Sequence, residues 1–339
     1  MNNTTTWLLW LIMTVAFLLS TRNPLYLLVS LIGLLILGAW ITKRKHQSFW
    51  LRQNLRFLLT MLFLSTLINT LFTHTGQRIL FNIPEGWPLI GGVITVESLV
   101  FGMINGLVIG SLYLVFNIIN LALSIKQLIR LIPTTFHPIA VMVTIALTFF
   151  PSIQQRAREI KEAQMIRGNP MKKVSDWLPL LLPLLVTSLE NAILLSESMT
   201  ARGFHTSQSS NTSTLAMVGS ITATFAVFSG WILRLYSYPE FLSIILYIFG
   251  ASILIMTLFL TGRQSKITHF HQEQWQTCDI LGSTFYTLIL AGFIIFNITN
   301  RLPSLAYSPY PALSWPSPQI IGLILSTTSI TPIIFSCHD

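Results

Sequence analysis

Two arginines carry the clearest chemical pattern in this sequence. In "EAQMIRG", Glu162 stands five residues before Arg167 and Gly168 follows; in "ESMTARGF", Glu197 stands five residues before Arg202 and Gly203 follows. The two Arg-Gly pairs are 35 residues apart. A guanidinium is a permanent cation whose planar fork pairs bidentately with carboxylates and backbone oxygens. At a helix end it can grip another surface. The plainer use is capping: Gly commonly ends helices, and an Arg in the last turn gains about 0.3–1 kcal/mol from the helix dipole. Repetition with one internal spacing favours docking over capping.

Other reactive chemistry is sparse. The only aspartates are Asp176, Asp279 and Asp339. No His-Glu-x-x-His helix and no Gly-x-x-x-x-Gly-Lys-Ser/Thr phosphate loop occurs. In "HFHQE", His269 and His271 would point apart on a helix, so the stretch reads as a polar interfacial loop. The two cysteines, Cys278 and Cys337, have no metal spacing, and no disulfide framework is arguable from them. A polytopic membrane enzyme is therefore an alternative without a motif, and no metal or other cofactor is expected. Two acids lie near apolar sequence, where an ionisable group is a functional candidate by default. Glu97 stands where a helix begins, and there an acid favours the dipole. Glu190 lies about two turns before Glu197 on a similar face and reads as a partner for a base of the preceding helix.

The elements that must position these groups are membrane helices. Of 339 residues, 52% are hydrophobic and only 9% charged, where a soluble domain carries about a quarter charged. The net charge of +9 is spread between apolar runs, so it reports membrane topology and not nucleic-acid binding. The N-terminus lacks a basic region and a small-residue cleavage site, so residues 7–20 read as a retained membrane segment.

Apolar runs cover residues 7–21, 24–42, 55–72, 99–125, 214–233, 242–261, 284–299 and 320–335. A spanning helix needs roughly 20 such residues. All but four of the 20 Lys and Arg fall in three groups: Lys43 to Arg56, Lys126 to Arg202, and Arg263 with Lys266. Arg22, Arg78, Arg234 and Arg301 fall singly in the intervening loops. Because basic loops stay in the cytoplasm, eight crossings with both termini cytoplasmic satisfy this alternation. Residues 139–150 and 178–195 are apolar too, but basic residues flank the first and Pro179 and Pro183 interrupt the second. The block 126–203 is therefore expected on the cytoplasmic side, partly sunk in the membrane.

Within that block, Pro138 can start a helix that runs to Arg167, kinked near Pro151, with Gly168 as its cap and Asn169-Pro170 as its stop. Asp176 can N-cap a second helix ending at Arg202. Both Arg-Gly pairs then sit at polar tips of long helices with apolar bodies. "HTSQSSNTST" follows as a flexible linker.

On these motifs the sequence resembles the transmembrane T component of energy-coupling factor (ECF) transporters, the CbiQ/EcfT family. "VTIALTFFPSIQQRAREIKEAQMIRG" and "LPLLLPLLVTSLENAILLSESMTARGF" resemble that family's two coupling helices. "KQLIRLIP" resembles the short amphipathic helix before them, and "GGVITVESLVFGMINGL" the external approach to a membrane helix. The resemblance covers roughly residues 24–204. There are departures: Ile166 replaces the Ala expected before Arg167, whereas Ala201-Arg202-Gly203 is intact; "TRNPLYLL" stands in place of the usual N-terminal opening; "GLVIGSL" lacks a common Arg.

The resemblance implies an all-α, polytopic membrane helix bundle with long cytoplasmic-side coupling helices. It divides as residues 1–125 (about four crossings), 126–204 (coupling block), 205–261 (a helix pair) and 262–339 (an extension with two crossings). It implies a non-catalytic scaffold in the cell membrane. Such a subunit joins two ABC ATPase subunits to a membrane-embedded S component for vitamin or transition-metal-ion uptake. Arg167, Gly168, Ala201, Arg202 and Gly203 would dock the ATPases, supported by Glu162, Glu197 and Glu190. The extension should be dispensable for that docking. A conventional ABC importer permease matches in part, through Glu162-Ala163-Gln164, Gly168 and Leu178, but its single coupling loop leaves Arg202-Gly203 unexplained.

Overall fold

The computed structural model describes residues 3–45, 49–73, 75–83, 92–132, 137–168, 177–203, 210–235, 240–264, 275–298, 305, 307–310 and 313–335. Among them the chain is helical: α1 (Thr4–Ser20), α2 (Pro24–Arg44), α3 (Trp50–Phe72), α4 (Val96–Ala122), α5 (Ile125–Arg130), α6 (His137–Ile166), α7 (Leu178–Ala201), α8 (Ser210–Leu235), α9 (Glu240–Gln264), α10 (Thr277–Ile298) and α11 (Ile320–Thr327), which runs into a 3-10 helix, Thr328–Ile333. One antiparallel hairpin, β1 (Ile79–Ile83) with β2 (Gly92–Thr95), precedes α4. Six helices have the length and composition to cross a membrane: α2, α3, α4, α7, most of α8, and α10.

The helix starts follow from side chains that replace missing backbone acceptors. Asn3 accepts the Thr5 N–H at 3.2 Å and Asn23 the Leu25 N–H at 3.1 Å, with Pro24 pre-set in the first turn of α2. Thr95 accepts the Ser98 N–H at 3.3 Å to open α4.

The chain forms two compact units. The first joins Met1–Leu128 to His271–Asp339. In it, α3 and α4 run antiparallel along a stripe of small residues. A Cβ on Gly102 would lie 2.7 Å from Thr66 Cα, and one on Gly106 2.9 Å from Leu62 Cα, while Gly110 faces Leu58. Glycine at every fourth position lets the two backbones touch, as membrane helices do when they pack without a hydrophobic driving force. The Trp50 indole rests on Gly38 of α2 and donates to Asn117 Oδ1 at 2.6 Å.

The C-terminal tail completes this unit. Asn3 N–H reaches Asp279 Oδ1 at 3.5 Å, Gly282 faces Thr6, and Phe17 meets Phe293 edge-on at 6.2 Å. These pairs share an offset of 276 residues, so α10 runs parallel to α1. Likewise Gly322 faces Tyr26 and Ser329 faces Gly33, so α11 and its 3-10 extension run parallel to α2. Gln319 N–H donates to Tyr26 Oη at 2.7 Å, Trp10 Nε1 donates to the Thr328 carbonyl at 3.3 Å, and the hydroxyls of Tyr286 and Thr331 lie 2.9 Å apart. Thr6 and Phe335 both pack against Gly282, so the first and last described helical segments meet at the same end of the unit.

Some elements differ from the sequence reading. The stretch 320–335, expected as a crossing helix, is eight α-helical residues followed by six of 3-10 helix; Pro332 and the local Ser/Thr back-bonds favour the tighter winding. The linker expected through Thr214 is helical from Ser210. Cys278 is disulfide-bonded, a pairing that could not be argued from the sequence; Cys337, the only other cysteine in the sequence, lies outside the described residues. So do Asp176, Asn169-Pro170, and His269 with His271.

Candidate functional site

The second unit, Ile129–Phe270, contains both arginine motifs. Its α6 and α7 pack on each other, as do α8 and α9. The helix α6 runs 30 residues, about 45 Å at 1.5 Å per residue, and carries Pro151 inside it without a break. The helix α7 starts at Leu178 because Pro179 falls in its first turn, where no N–H is needed; Pro183 is carried inside. The helix expected up to Arg202 is thus present as one 24-residue element; its length and composition are those of a crossing helix, which the prolines had argued against.

The two helix ends are built alike. Arg167 N–H donates to the Ala163 carbonyl at 3.2 Å and Gly168 N–H to that of Met165 at 3.1 Å. Arg202 N–H donates to the Ser198 carbonyl at 3.2 Å and Gly203 N–H to that of Thr200 at 2.9 Å. In each, the arginine bonds four residues back and the glycine three back. Gly168 has φ +84° and Gly203 φ +78°, the left-handed region that a Cβ makes costly. A Cβ on Gly168 would meet nothing within 4 Å, so glycine is required there by its backbone alone.

Arg167, Ala201 and Arg202 are exposed, as are Glu162, Glu190 and Glu197. On a helix, a five-residue spacing separates two side chains by about 140°, so neither acid faces the arginine of its own motif. Among the described residues no ion pair engages Arg167, Arg202 or Glu190; the expected bridge from Glu190 to α6 is not formed. The nearby acid Glu159 instead accepts a hydrogen bond from Gln155 Nε2 at 3.0 Å. Two permanently charged forks are thus presented on capped helix ends without partners of opposite charge among the described residues.

Three features escape a reading of the motifs alone. Ile166 is 88% exposed directly beside Arg167, an apolar knob where the other tip has Ala201; its departure from the expected Ala is the only signal in the sequence. The α3–α4 contact was legible as the spacing of Gly102, Gly106 and Gly110. Glu97 begins α4 as expected, but it is fully buried. Its two oxygens accept the Arg78 N–H at 3.3 and 3.2 Å, and Gly76, at φ +151°, leaves room for the carboxylate. A second bond, from Thr95 Oγ1 to the Thr75 carbonyl at 2.9 Å, ties the same loop to the start of α4. The acid therefore works as a structural pin for the segment before the hairpin.

Comparison with known proteins converges on one group. The sequence model of the CbiQ family, described as cobalt transport protein, matches residues 2–214. The match thus includes α1 and stops inside α8, before α9, α10 and α11. Among curated proteins, the energy-coupling factor transporter transmembrane protein EcfT of Bacillus selenitireducens is 29% identical over 198 residues, 56% of this chain and 72% of the relative. The EcfT of Bacillus subtilis is 29% identical over 188 residues, 52% of this chain and 69% of the relative. That of Acidaminococcus fermentans is 29% identical over 195 residues, 51% and 66% respectively.

Proposed function

This chain belongs to the CbiQ family, the transmembrane T components of energy-coupling factor transporters, and from that premise we propose that it is the scaffold that couples two ABC ATPase subunits to a membrane-embedded S component. Its substrates are a vitamin or a transition-metal ion selected by the S component. The chain itself is non-catalytic. The observation that carries this reading is the matched pair of arginine tips, Arg167 and Arg202, each exposed on a glycine-capped helix and each without an acidic partner among the described residues.

In mechanism, each guanidinium enters a groove on one ATPase and forms charge-assisted hydrogen bonds with carboxylates or carbonyls there. The left-handed glycine ends each helix directly behind the arginine, which leaves the guanidinium at the tip. Ile166 adds apolar contact at the first tip. Because α6 and α7 are long and continuous, displacement of the ATPases is carried along them toward the membrane. Their apolar bodies supply a surface against which the S component moves: Leu182, Leu185 and Leu189 of α7 are each more than 60% exposed. The coupling block lies on the cytoplasmic side of the cell membrane, as do both termini.

Affinity purification of the full chain from its native membrane, with mass spectrometry of what accompanies it, tests the reading. Two ABC ATPases and a small membrane protein are expected. Recovery of a substrate-binding lipoprotein with a single ATPase would point instead to a conventional importer permease.

A further inference from the structure

We infer that the outer face of α3 holds an anionic phospholipid of the leaflet bordering the Lys43–Arg56 end of the first unit. The start of α3 places Arg52 and Arg56 one turn apart on its exposed side. The same side continues as Leu59 and Phe63, 58% and 67% exposed, and Leu64. Arg56, Leu59, Thr60, Phe63 and Leu64 line a shallow depression of about 460 Å³ whose walls are almost wholly apolar. The adjoining side of α3 is taken up by α4 through Leu58, Leu62 and Thr66. The helix therefore offers a stripe with two cations at one end and hydrocarbon along the rest.

Charge complementarity selects the occupant. No Asp or Glu occurs in the chain before Glu85, and among the described residues neither guanidinium has a carboxylate partner. Two neighbouring cations have other work: Arg44 stacks over the Trp40 ring at 4.1 Å, and Lys45 donates to the Leu121 carbonyl. Arg52 and Arg56 are left with their hydrogen-bond donors facing outward at the membrane boundary. A phosphodiester headgroup satisfies two adjacent guanidinium forks. Its acyl chain lies along Leu59 and Phe63, which a soluble anion could not use. Clusters of basic residues directly beside a crossing helix attract anionic lipids in this way.

The test places the full chain in nanodiscs of equal phosphatidylglycerol and phosphatidylcholine and reads the lipids that remain bound by native mass spectrometry. The wild-type protein should retain phosphatidylglycerol preferentially. R52Q/R56Q should lower that enrichment at least threefold, R52K/R56K should keep most of it, and R78Q/R234Q, an equal loss of charge elsewhere, should leave it unchanged. Millimolar inorganic phosphate should not displace the lipid. Circular dichroism and gel filtration establish that each variant is folded; should the double Gln variant not be, R52Q and R56Q alone should each lower the enrichment, and wild-type enrichment in both would overturn the assignment. Wild-type enrichment in R52Q/R56Q, an equal loss in R78Q/R234Q, or displacement by phosphate would overturn the assignment. So would intact lipid retention coupled with loss of ATPase copurification, which would make the arginines a protein contact.

Discussion

Gly168 and Gly203 close two different helices with the same left-handed turn, φ +84° and +78°, and in both the preceding arginine is left exposed. The likeness extends to the hydrogen bonds, which reach four and three residues back at each end. Ordinary helix capping explains the glycines. It does not explain why Arg167 and Arg202 both lack an acidic partner among the described residues, while Glu162 and Glu197 stand on another side of their helices.

Removing the grip should therefore weaken the complex in steps. Truncating one partner of a buried, hydrogen-bonded charge pair costs about 2–5 kcal/mol. Arg167→Ala or Arg202→Ala alone should reduce ATPase copurification, and the double variant should abolish assembly and uptake. Lys at either site should restore only part, because an ammonium lacks the planar fork. If the arginines only complement helix dipoles, each loss should be about 0.3–1 kcal/mol and Lys should substitute fully. Normal assembly of the double Ala variant at matched expression would refute the docking role.

A second expectation concerns the α3–α4 seam. Gly106→Leu must push Leu62 and its backbone away, since even a Cβ there would sit 2.9 Å from Leu62 Cα. Overpacking of this kind costs about 1–3 kcal/mol. The thermal unfolding midpoint in detergent should fall for Gly106→Leu and stay near wild type for Gly292→Ala, where a Cβ meets nothing within 4 Å. Equal midpoints would show that the helices do not touch along this stripe.

Truncation after Thr261 tests the tail. Docking residues are absent from it, which argued for dispensability, but α10 and α11 cover α1 and α2. Losing them would uncover Phe17 and Tyr26, both fully buried at present, and would leave Trp10 Nε1 without its acceptor. The shortened protein should be less stable to heat and to protease in detergent, with ATPase binding lost only as folding is lost. A shortened chain with wild-type stability would show that the tail is a passive addition.

Sidedness can be read by labelling. In a protein with Cys278 and Cys337 replaced by serine, single cysteines at Gln155 and Arg202 should resist a membrane-impermeant maleimide applied from outside and react once the membrane is opened. Because α7 has the length to cross, the Arg202 position is the sharper test. External labelling there would place one tip away from any cytoplasmic ATPase and end the docking argument.

Much of the site was legible because its signals are local. An Arg-Gly pair after a long apolar or amphipathic stretch specifies a capped end through φ preference alone, and Gly168 and Gly203 adopt the required turn. The positions of α2, α3 and α4 follow from hydrophobic length and from Lys and Arg in the loops, and that of α6 from Pro138 at its start and Gly168 at its end. Glu97 was legible as the acid at a helix start, since the dipole acts within one turn. Its burial was not, because that depends on Gly76 and Arg78, some twenty residues away, folding over it. Pro179 and Pro183 argued against a crossing, yet a proline in the first turn costs nothing and the helix carries the other, so its length remains that of a spanning helix.

The sequence by itself determined that this is a membrane helix bundle, where most of its helices lie, and that two arginines end two of them on glycine caps, since each of these rests on periodicity, composition or backbone preference within a few residues. Only the tertiary structure decided that the tail returns to run parallel with α1 and α2, joining Asn3 to Asp279 and Tyr26 to Gln319 across nearly the whole chain. No local pattern encodes such a pairing. It depends on which apolar faces fit when hydrocarbon surrounds every helix alike, and there close packing at small residues and a few interhelical hydrogen bonds choose the partner.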